Sequence, residues 1–506
     1  MILGINAWHA DHINGLIAYK MGFMANFLFD LLSEMFKKDL KYEMFRASKI
    51  YNKPKSDEMR FKSNYYGKQA NLSVSLIKIQ TAVFSLLLLL PVGCVDTPVH
   101  EEKASVTVIN ENMLVDGADV LAFGPDNVLF VADSKGGKLY AVPTEAKELK
   151  DAIPYNMEGF DIEMAKKLSL DPRDIVINDM KIHPLSQEAY VSIKLGHKPE
   201  AKSVIAVVDP VARDIQLLDI MKDGFKSVAI NNPASSDLMF WKETSASVLN
   251  ITDMDYYDGY VYMAGLTNSE FASTLRKIAY PFTDTQEIVN SIEIYHAVHT
   301  QNETRAPIRT MLFDDIDGKP TLLASYTCTP LVSIPADEIQ NGADVKGKTI
   351  AELGYGNTPI DMLVVTTQGF DGSTSKSLIV TNKNRGGTMI PLNAVVAGTK
   401  GEGMAGQRAM FATGLEGMQE IPTANVMQVD IQNPQMLGMV RRNIDTGDID
   451  LVSELTGTFL RLSDFISEYD FPDYRYPEAQ AGTKQYHDMV KQMEGYAELT
   501  SQKIGR

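Results

Sequence analysis

A repeated unit in the middle of the chain constrains the fold more than any other feature of the sequence. Each copy has an acidic or polar residue, an apolar strand-like segment, a tight turn and a second strand-like segment. The aligned polar residues, spaced about 61 residues apart on average, are Asp119, Asp179, Asp253, Thr310, Asp361 and Asn425. One such unit cannot bury both faces of its sheet, so the units must pack against one another.

The number of units indicates a closed ring. Short segments of β type, separated by Gly, Pro, Asn and Asp, predict an all-β fold. Six units predict a six-bladed β-propeller, with seven blades as the alternative. A four-stranded blade needs roughly 40–50 residues, so the extra length is expected in loops. Residues 106–113 precede the first unit, and we expect them to pair beside Ile449–Leu455 and close the ring.

The composition changes on both sides of this region. We assign residues 106–465 to the propeller domain. Residues 466–506 begin with a Pro- and Tyr-rich stretch and continue with a polar segment of weak helical spacing, which predicts a short C-terminal helical extension. Residues 94–105 are polar and charged, and we expect them to form a tether in front of the domain.

An export signal precedes the tether. Lys78 is followed by an apolar core of about 15 residues, which is shorter than the roughly 20 residues of a transmembrane helix. Gly93 and Cys94 follow this core, and the segment resembles the signal peptide of bacterial lipoproteins, in which the cysteine is lipidated. Pro91 departs from that pattern, since an aliphatic residue is usual three positions before the cysteine. The alternatives are an ordinary signal peptide cut nearby and a buried apolar strand.

The position of this signal bears on where translation starts, because a signal peptide normally stands at the N-terminus. Met59 is followed by Arg60, Lys62 and Lys68, a basic region typical of the start of a signal peptide. We therefore expect residues 1–58 to be an extension ahead of the true start and residues 59–93 to be the signal peptide. The alternative is a genuine cytoplasmic segment with residues 76–93 as a signal anchor.

Charge and cysteine content narrow the expected function. The chain has 48 basic and 65 acidic residues, net −17, so nucleic acid is not an expected partner, because binding it needs a basic surface. Two cysteines exclude a disulfide framework. Together with the signal, these features predict an exported protein of the bacterial cell envelope, at the outer membrane or the periplasmic face, lipid-anchored through Cys94. Its expected partners, apart from the membrane, are an envelope protein or a small-molecule ligand.

Three stretches of the domain carry a resemblance to known proteins. VLAFGPDNVLFVADSKGGKLYAV resembles a blade of the secreted propellers with NHL or YVTN repeats, a superfamily that includes gluconolactonase-like hydrolases. ITDMDYYDGYVYMAGLTNSEFASTLR and LLASYTCTPLV resemble a group of exported bacterial propellers without an assigned activity. The resemblance implies a propeller over about residues 106–465 and leaves the chemistry open, because one fold hosts many functions.

The repeated polar positions are the first candidate site. In a propeller the first strand of each blade lines the central channel, so these residues are expected to form a ring at its mouth. Converging carboxylates repel one another unless a cation neutralises them, and oxygen ligands suit Ca²⁺ or Mg²⁺. Asp119, Asp179, Asp253 and Asp361 are the candidate metal ligands. The alternative is that each Asp caps its own turn through backbone hydrogen bonds. The resemblance implies Glu and Asn ligands in the gluconolactonase-like enzymes, and the repeat offers no Glu.

A second candidate site lies further along the chain. His296 and His299 precede Arg305 and Arg309. Alternating apolar residues before His296 favour a strand, on which the two His side chains would point oppositely, and this disfavours a two-His metal pair. The two Arg side chains are in position to balance the Asp ring and to form a pocket for an anionic or sugar-like ligand. The alternative is a purely structural Arg–Asp network.

The remaining motifs limit the chemistry. We interpret Cys328 as a buried, inert thiol rather than a nucleophile. The sequence has no phosphate-binding Gly-rich loop, no Gly-x-Ser-x-Gly elbow and no His-Glu-x-x-His motif. We therefore expect an envelope-anchored propeller that binds a ligand or protein partner at its channel face. The alternatives are a metal-dependent hydrolase or lactonase and a structural scaffold for other envelope proteins.

Overall fold

The computed structural model describes residues 109–282, 287–340, 342–368, 373–421, 423 and 425–456. All of them belong to the domain predicted at residues 106–465. The predicted extension, signal peptide and tether, the lipidation site Cys94 and the C-terminal helix lie outside the described residues.

The described residues are mostly β-strand, with two short α-helices. The first strands in chain order are β1 (Ala118–Phe123), β2 (Val128–Asp133), β3 (Lys138–Pro143), β4 (Asn156–Met157), β5 (Ile175–Ile182), β6 (Ala189–Leu195), β7 (Ser203–Val208), β8 (Ile215–Leu217), β9 (Lys226–Ala229), β10 (Met239–Phe240), β11 (Thr244–Ser245), β12 (Asp253–Tyr257), β13 (Tyr260–Leu266) and β14 (Ser273–Ala279). The remaining strands are β15 (Ile288–His296), β16 (Gln301–Glu303), β17 (Thr310–Asp315), β18 (Pro320–Ser325), β19 (Pro330–Pro335), β20 (Asp344–Glu352), β21 (Pro359–Gln368), β22 (Thr374–Asn382), β23 (Gly387–Pro391), β24 (Gln419–Ile421), β25 (Val426–Asn433), β26 (Met436–Arg442) and β27 (Ile449–Leu455). The α-helices are α1 (Phe160–Leu168) and α2 (Leu392–Lys400). Single-turn 3₁₀ helices are Glu111–Met113, Pro125–Asn127, Pro172–Asp174, Ala246–Leu249 and Ala336–Glu338.

The strands form four separate four-stranded sheets, one nine-stranded sheet and a small hairpin. The four-stranded sheets have the orders β1-β2-β3-β9, β5-β6-β7-β8, β21-β22-β23-β24 and β25-β26-β27-β4. The nine-stranded sheet has the order β12-β13-β14-β15-β20-β19-β18-β17, with β16 beside β15, and β10 pairs with β11. Neighbouring strands are antiparallel except for β15 and β20, which pair in parallel.

The first strands of these sheets surround a central channel. β1 contacts β5 on one side and β12 on the other, and the contacts continue through β17, β21 and β25 back to β5. Four-stranded antiparallel sheets arranged around such a ring form a propeller. The prediction of an all-β fold with a propeller-like arrangement is confirmed.

The strand that pairs at the outer edge of the last sheet is not the one predicted. We expected residues 106–113 to pair beside Ile449–Leu455, but Asn156–Met157 occupy that edge. Helix α1 follows this short strand, and its residue Asp161 accepts a hydrogen bond from the backbone N–H of Ile449 at 3.0 Å. The expectation was wrong because the connection after the first sheet carries a helix with its own apolar face. Phe160, Met164 and Leu168 of that face are buried in one cluster with Leu451.

The hydrophobic core lies between neighbouring sheets. Strand β2 is buried along its whole length, because it lies inside its sheet and other sheets cover both faces. Phe130 packs in a cluster with Val261 of β13. The adjacent Leu129 points to the opposite face and packs with Ile205 of β7. Each such side chain stabilises the fold by about 1.5–3 kcal/mol. Among the described residues, no helix is long and apolar enough to cross a lipid bilayer.

Candidate functional site

A lysine lies among carboxylates in the channel. Lys181 extends from β5, and its Nζ is 3.5 Å from Oδ1 of Asp361. Burial lowers the pKa of Lys181, but the charges of Asp361, Asp179, Asp430 and Asp253 raise it well above its ordinary value. The ammonium group is therefore charged at neutral pH and offsets part of the acidic charge of the channel.

The channel carboxylates also join neighbouring first strands to one another. In each of them one oxygen accepts the N–H of the next residue, and the other oxygen accepts an N–H of the adjacent first strand. The N–H donors are Met180 and Leu121 for Asp179 (both 2.7 Å), Met254 (2.8 Å) and Met311 (2.5 Å) for Asp253, Tyr256 and Phe313 for Asp255 (both 2.8 Å), Met362 (3.2 Å) and Val429 (3.1 Å) for Asp361, and Ile431 (2.9 Å) and Ile182 (2.7 Å) for Asp430. A first strand is the inner edge of its sheet, so some of its N–H groups have no strand partner. Aspartate supplies the missing acceptors.

The acidity of these carboxyl groups is set by their surroundings. Burial raises the pKa of Asp253 to about 7, against the opposing attraction of Lys181. Burial also raises the pKa of Asp255 to about 6. Asp179 and Asp430 have raised pKa values for the same reason. Part of the channel therefore takes up protons near neutral pH, and a cation that enters would favour the ionised forms.

A large cavity opens from one end of the channel. Its volume is about 1390 Å³, and the six first strands supply most of its wall. Phe123, Met311 and Phe313 belong to its apolar wall, and Lys181, Asp255 and Asp430 belong to its polar part. Ligand pockets usually have volumes of about 300–1,000 Å³ and combine apolar walls with a few polar groups. This cavity therefore has room for a sizeable ligand or a segment of a partner protein.

The structure brings together half of the predicted ring. Asp179, Asp253 and Asp361 surround Lys181 and form, with it, what we call the channel ring. Asp119 is half-buried in β1, and its charge is not among the main ones that act on Lys181.

Two further predicted members do not join the ring. Thr310 is buried at the start of β17, and Asn425 is exposed immediately before β25. In the strand that follows Asn425, it is Asp430 that reaches the channel.

Three channel residues escaped the sequence analysis, namely Lys181, Asp255 and Asp430. Side chains two residues apart on a strand share one face. Applying that rule to Asp179 and Asp253 would have found Lys181 and Asp255. Asp430 lies five residues after Asn425, the position aligned with the ring aspartates, so the alignment of the repeat does not reach it.

The ring does not fit the Ca²⁺ or Mg²⁺ site suggested by its acidic residues. The position at which carboxylates converge is taken by the ammonium group of Lys181, which supplies the positive charge from the chain itself. The carboxylate oxygens are also bound to backbone N–H groups, which holds them at the spacing of the strands. The hydrogen bonds to each following N–H agree with the alternative interpretation, in which each Asp binds its own backbone.

The two predicted arginines occupy different environments. Arg309 is partly buried, and burial lowers its pKa while the charge of Asp253 acts to raise it. It therefore lies near the channel ring. Arg305 is exposed, and its Nε donates to the carbonyl oxygen of Glu270 at 3.3 Å. Only one of the two Arg side chains is positioned to balance the ring.

The two histidines lie side by side, which corrects the expectation that they point oppositely. Strand β15 ends at His296, and residues 297–300 form a turn before β16, so strand alternation stops at the first His. The ring centroids of His296 and His299 are 4.2 Å apart. Glu303 contacts both Nδ1 atoms, at 2.8 Å from His296 and 2.5 Å from His299.

Cys328 joins these histidines in a cluster separate from the channel ring. It lies in the turn between β18 and β19 with φ of 67°, and it is partly exposed rather than buried as expected. Potential ligand atoms of His296, His299 and Cys328 all lie within 4.8 Å of one another. We call these three residues, with Glu303, the His–Cys cluster. His299 and Cys328 are 29 positions apart with three strands between them, so the sequence alone does not indicate that they meet.

Comparisons with known proteins add a general likeness only. No protein-family model matches the sequence, and no curated protein matches it. Similar solved structures include PorZ, an essential bacterial surface component of the type-IX secretion system of Porphyromonas gingivalis, at 11% identity and a TM-score of 0.29, covering 67% of this chain and 37% of PorZ. They also include the PQQ-bound aldose sugar dehydrogenase of Streptomyces coelicolor, at 12% identity and a TM-score of 0.29, covering 69% of this chain and 95% of the other. Drosophila Semaphorin 1a, extracellular domains 1-2, has 9% identity and a TM-score of 0.30, covering 68% of this chain and 88% of the other. These values carry no argument about ligand or activity.

Proposed function

We propose that this protein is a six-bladed β-propeller of the bacterial cell envelope that binds a ligand or protein partner through the cavity at its channel face. The observation that carries the proposal is the cavity itself, with apolar walls and carboxylates beside Lys181. The cavity lies on the channel axis, where all the sheets contribute residues to one surface. This is the usual place for recognition in a fold built by radial repetition.

The proposed count of six blades rests on dividing the nine-stranded sheet into two blades. One half runs outward from β12 to β15, and the other runs outward from β17 to β20. Each half begins with a strand of the ring around the channel, as the four separate sheets do. The parallel pairing of β15 with β20 then joins the outer edges of two adjacent blades.

The polar part of the cavity favours a ligand with a basic group. Three carboxylates, Asp255, Asp314 and Asp430, line it against two lysines, Lys181 and Lys376. A carboxylate has about four acceptor sites, and the two backbone N–H groups leave the others for a ligand. The apolar wall in turn accepts hydrocarbon. We therefore propose a ligand, or a side chain of a partner, with an apolar body and an ammonium or guanidinium end.

Thermal-shift measurements with matched probes test this function. Hexylamine and spermidine are expected to stabilise the full-length protein against heat, whereas hexanol is not. Replacing Asp255 or Asp430 by Asn should weaken the binding of the amines by about tenfold or more, because a charge-assisted hydrogen bond is lost. Asp223→Asn, at an exposed position, is the matched control. Equal shifts for hexylamine and hexanol, or equal affinity in all variants, would contradict the proposal.

The envelope anchor is a separate part of the proposal and rests on the sequence signal around Cys94. Cells that express the protein should incorporate a fatty-acid analogue into it, and Cys94→Ser should abolish that labelling. Cys328→Ser is the control for the other thiol. Labelling that persists in Cys94→Ser would refute the anchor without affecting the cavity.

The alternative function, a metal-dependent hydrolase or lactonase, draws on the sequence resemblance. The channel ring gives it little support, because Lys181 already neutralises the carboxylates that would hold the metal. Hydrolysis of lactones that requires added Ca²⁺ and is lost in Asp253→Asn would favour this alternative.

A further inference from the structure

The His–Cys cluster has the composition of a transition-metal site. His296, His299 and Cys328 each offer one potential ligand atom, and these atoms lie within 4.8 Å of one another. Imidazole nitrogen and thiolate sulfur are the ligands that zinc and related borderline-soft metals prefer. Two strand connections, one after β15 and one between β18 and β19, bring the three residues together.

Glu303 prepares the two histidines for metal binding. Its carboxylate lies 2.8 Å from Nδ1 of His296 and 2.5 Å from Nδ1 of His299. Because an ionised carboxylate only accepts hydrogen bonds, each Nδ1 must carry a proton, and in the neutral imidazole that a metal binds, each Nε2 then presents a lone pair. A carboxylate behind the ligating histidine is the usual outer partner in zinc sites, where it fixes the tautomer and the ring orientation.

One ligand atom of the cluster is buried without a partner. The side chain of His296 is 2% exposed, and its Nε2 has no hydrogen-bond partner among the described residues. A buried polar atom without a partner costs about 1–3 kcal/mol, so such an atom needs an explanation. A bound metal ion would satisfy it. The neighbouring His299 is 47% exposed, which leaves a path from solvent to the site.

The backbone around the thiol is held in place. The N–H of Cys328 donates to the carbonyl oxygen of Asn357 at 2.8 Å, and the N–H of Thr329 donates to that of Tyr326 at 2.8 Å. Cys328 and Thr329 both have positive φ, at 67° and 60°. A turn in this conformation presents the Cys328 side chain in a defined direction, as a metal ligand requires.

We propose that His296, His299 and Cys328 bind a transition-metal ion, with zinc as the expected metal and one coordination position open. The cluster could instead contain a nucleophilic thiol activated by histidine, because Glu303 would orient the imidazole in that case too. The metal is favoured because both histidines share one carboxylate and because, among the described residues, the Cys328 sulfur has no hydrogen bond to either imidazole. This proposal does not depend on the function of the channel cavity.

Cobalt titration of the full-length, chelator-treated protein tests the site, because Co²⁺ bound to a thiolate gives a charge-transfer absorption band. We expect that band to saturate at one Co²⁺ per chain and to disappear when Zn²⁺ displaces the cobalt. Cys328→Ser should abolish the band. Glu303→Gln should keep the band and weaken metal affinity roughly 10–100-fold, as loss of an outer partner does.

Two matched variants control for other ligands. His197→Ala removes an exposed histidine elsewhere in the domain, and Cys94→Ser removes the other thiol of the chain. Both should bind metal like the unmodified protein. A band that survives in Cys328→Ser, or that is lost in Cys94→Ser, would overturn the proposal.

Protection of the thiol provides a test that does not depend on a variant's folding. In the unmodified protein, Zn²⁺ should slow alkylation of Cys328 by iodoacetamide at least tenfold, as measured by peptide mass spectrometry. Fast alkylation that Zn²⁺ does not change would overturn the metal site and support the histidine-activated nucleophile instead.

Discussion

The channel ring and the His–Cys cluster are both groups of ionisable side chains, and they differ in what their polar atoms contact. In the ring, the carboxylates of Asp179, Asp253 and Asp361 are bound to backbone N–H groups of two strands, and Lys181 supplies the positive charge. In the cluster, Glu303 is hydrogen-bonded to Nδ1 of each imidazole, and Nε2 of His296 has no hydrogen-bond partner among the described residues.

This difference distinguishes side chains that stabilise the fold from side chains that are positioned to bind a ligand. The ring aspartates join adjacent first strands, so their substitution should act mainly on stability. The cluster lies at strand ends and in turns, so its substitution should act mainly on binding. An acidic ring deduced from a repeat is therefore not by itself evidence of a metal site, because the chain can supply its own cation.

The largest expected effect is that of removing the cation from the ring. Lys181→Met leaves the carboxylates around it uncompensated and should lower the free energy of unfolding by about 3–5 kcal/mol at neutral pH. Urea unfolding measures this change. Lys202→Met removes an exposed lysine 3.7 Å from Asp116 and should cost less than about 1 kcal/mol. Similar losses in the two variants would show that Lys181 does not neutralise the ring.

A smaller effect is expected from breaking one strand-to-strand hydrogen bond. Asp361→Asn cannot accept both N–H groups that the carboxylate accepts, from Met362 and Val429. The free energy of unfolding should fall by about 1–3 kcal/mol. Asp223→Asn, which is exposed, should leave it unchanged within about 0.5 kcal/mol. An unchanged stability of Asp361→Asn would mean that the carboxylates do not join the blades.

The raised pKa values of the channel predict how stability depends on pH. Asp253 has a pKa of about 7 and Asp255 of about 6 in the folded protein, above their values in the unfolded chain. The folded state therefore binds more protons between about pH 4 and pH 7, and stability is lost as the pH rises through that range. Thermal melting should show a higher midpoint near pH 5 than near pH 8.

Asp255→Asn removes one of these titrations and should reduce the difference between the two midpoints, by the equivalent of about 1–2 kcal/mol. His197→Ala changes a titratable residue outside the channel and serves as the control. A midpoint that rises steadily toward pH 8 would show that the channel carboxyls are ionised throughout and would contradict the burial argument.

The smallest effect on stability is expected in the cluster. His299 is half-exposed, so His299→Ala should change the free energy of unfolding of the metal-free protein by less than about 1 kcal/mol. In excess Zn²⁺ the gap from the unmodified protein should widen, because the metal stabilises only the form that binds it. Melting curves with and without Zn²⁺ measure both quantities. A large loss of stability in the metal-free variant would show that the cluster, like the channel ring, stabilises the fold.

Much of the fold was predictable from local patterns. The repeat identified the first strands of the sheets, and the structure brings Asp179, Asp253 and Asp361 together around Lys181, because equivalent positions on repeated strands take equivalent positions around a ring. Lys181 lies two residues after Asp179, so strand alternation alone places it on the channel side of β5. Asn425 lies outside the channel because this copy of the repeat matches only loosely, and the residue of β25 that reaches the channel, Asp430, stands five positions further on.

The sequence by itself determined an all-β, propeller-like domain, since alternating apolar residues and turn residues act over a few positions. Only the tertiary structure decided which groups pair with one another through hydrogen bonds, charge or ligand geometry. It placed Lys181 at the position expected for a metal, let Asn156–Met157 pair with β27, and brought Cys328 next to His296. The physical reason is that hydrogen bonds and ligand geometry depend on distances of a few ångströms between residues far apart in the chain, and those distances are set by how the sheets pack.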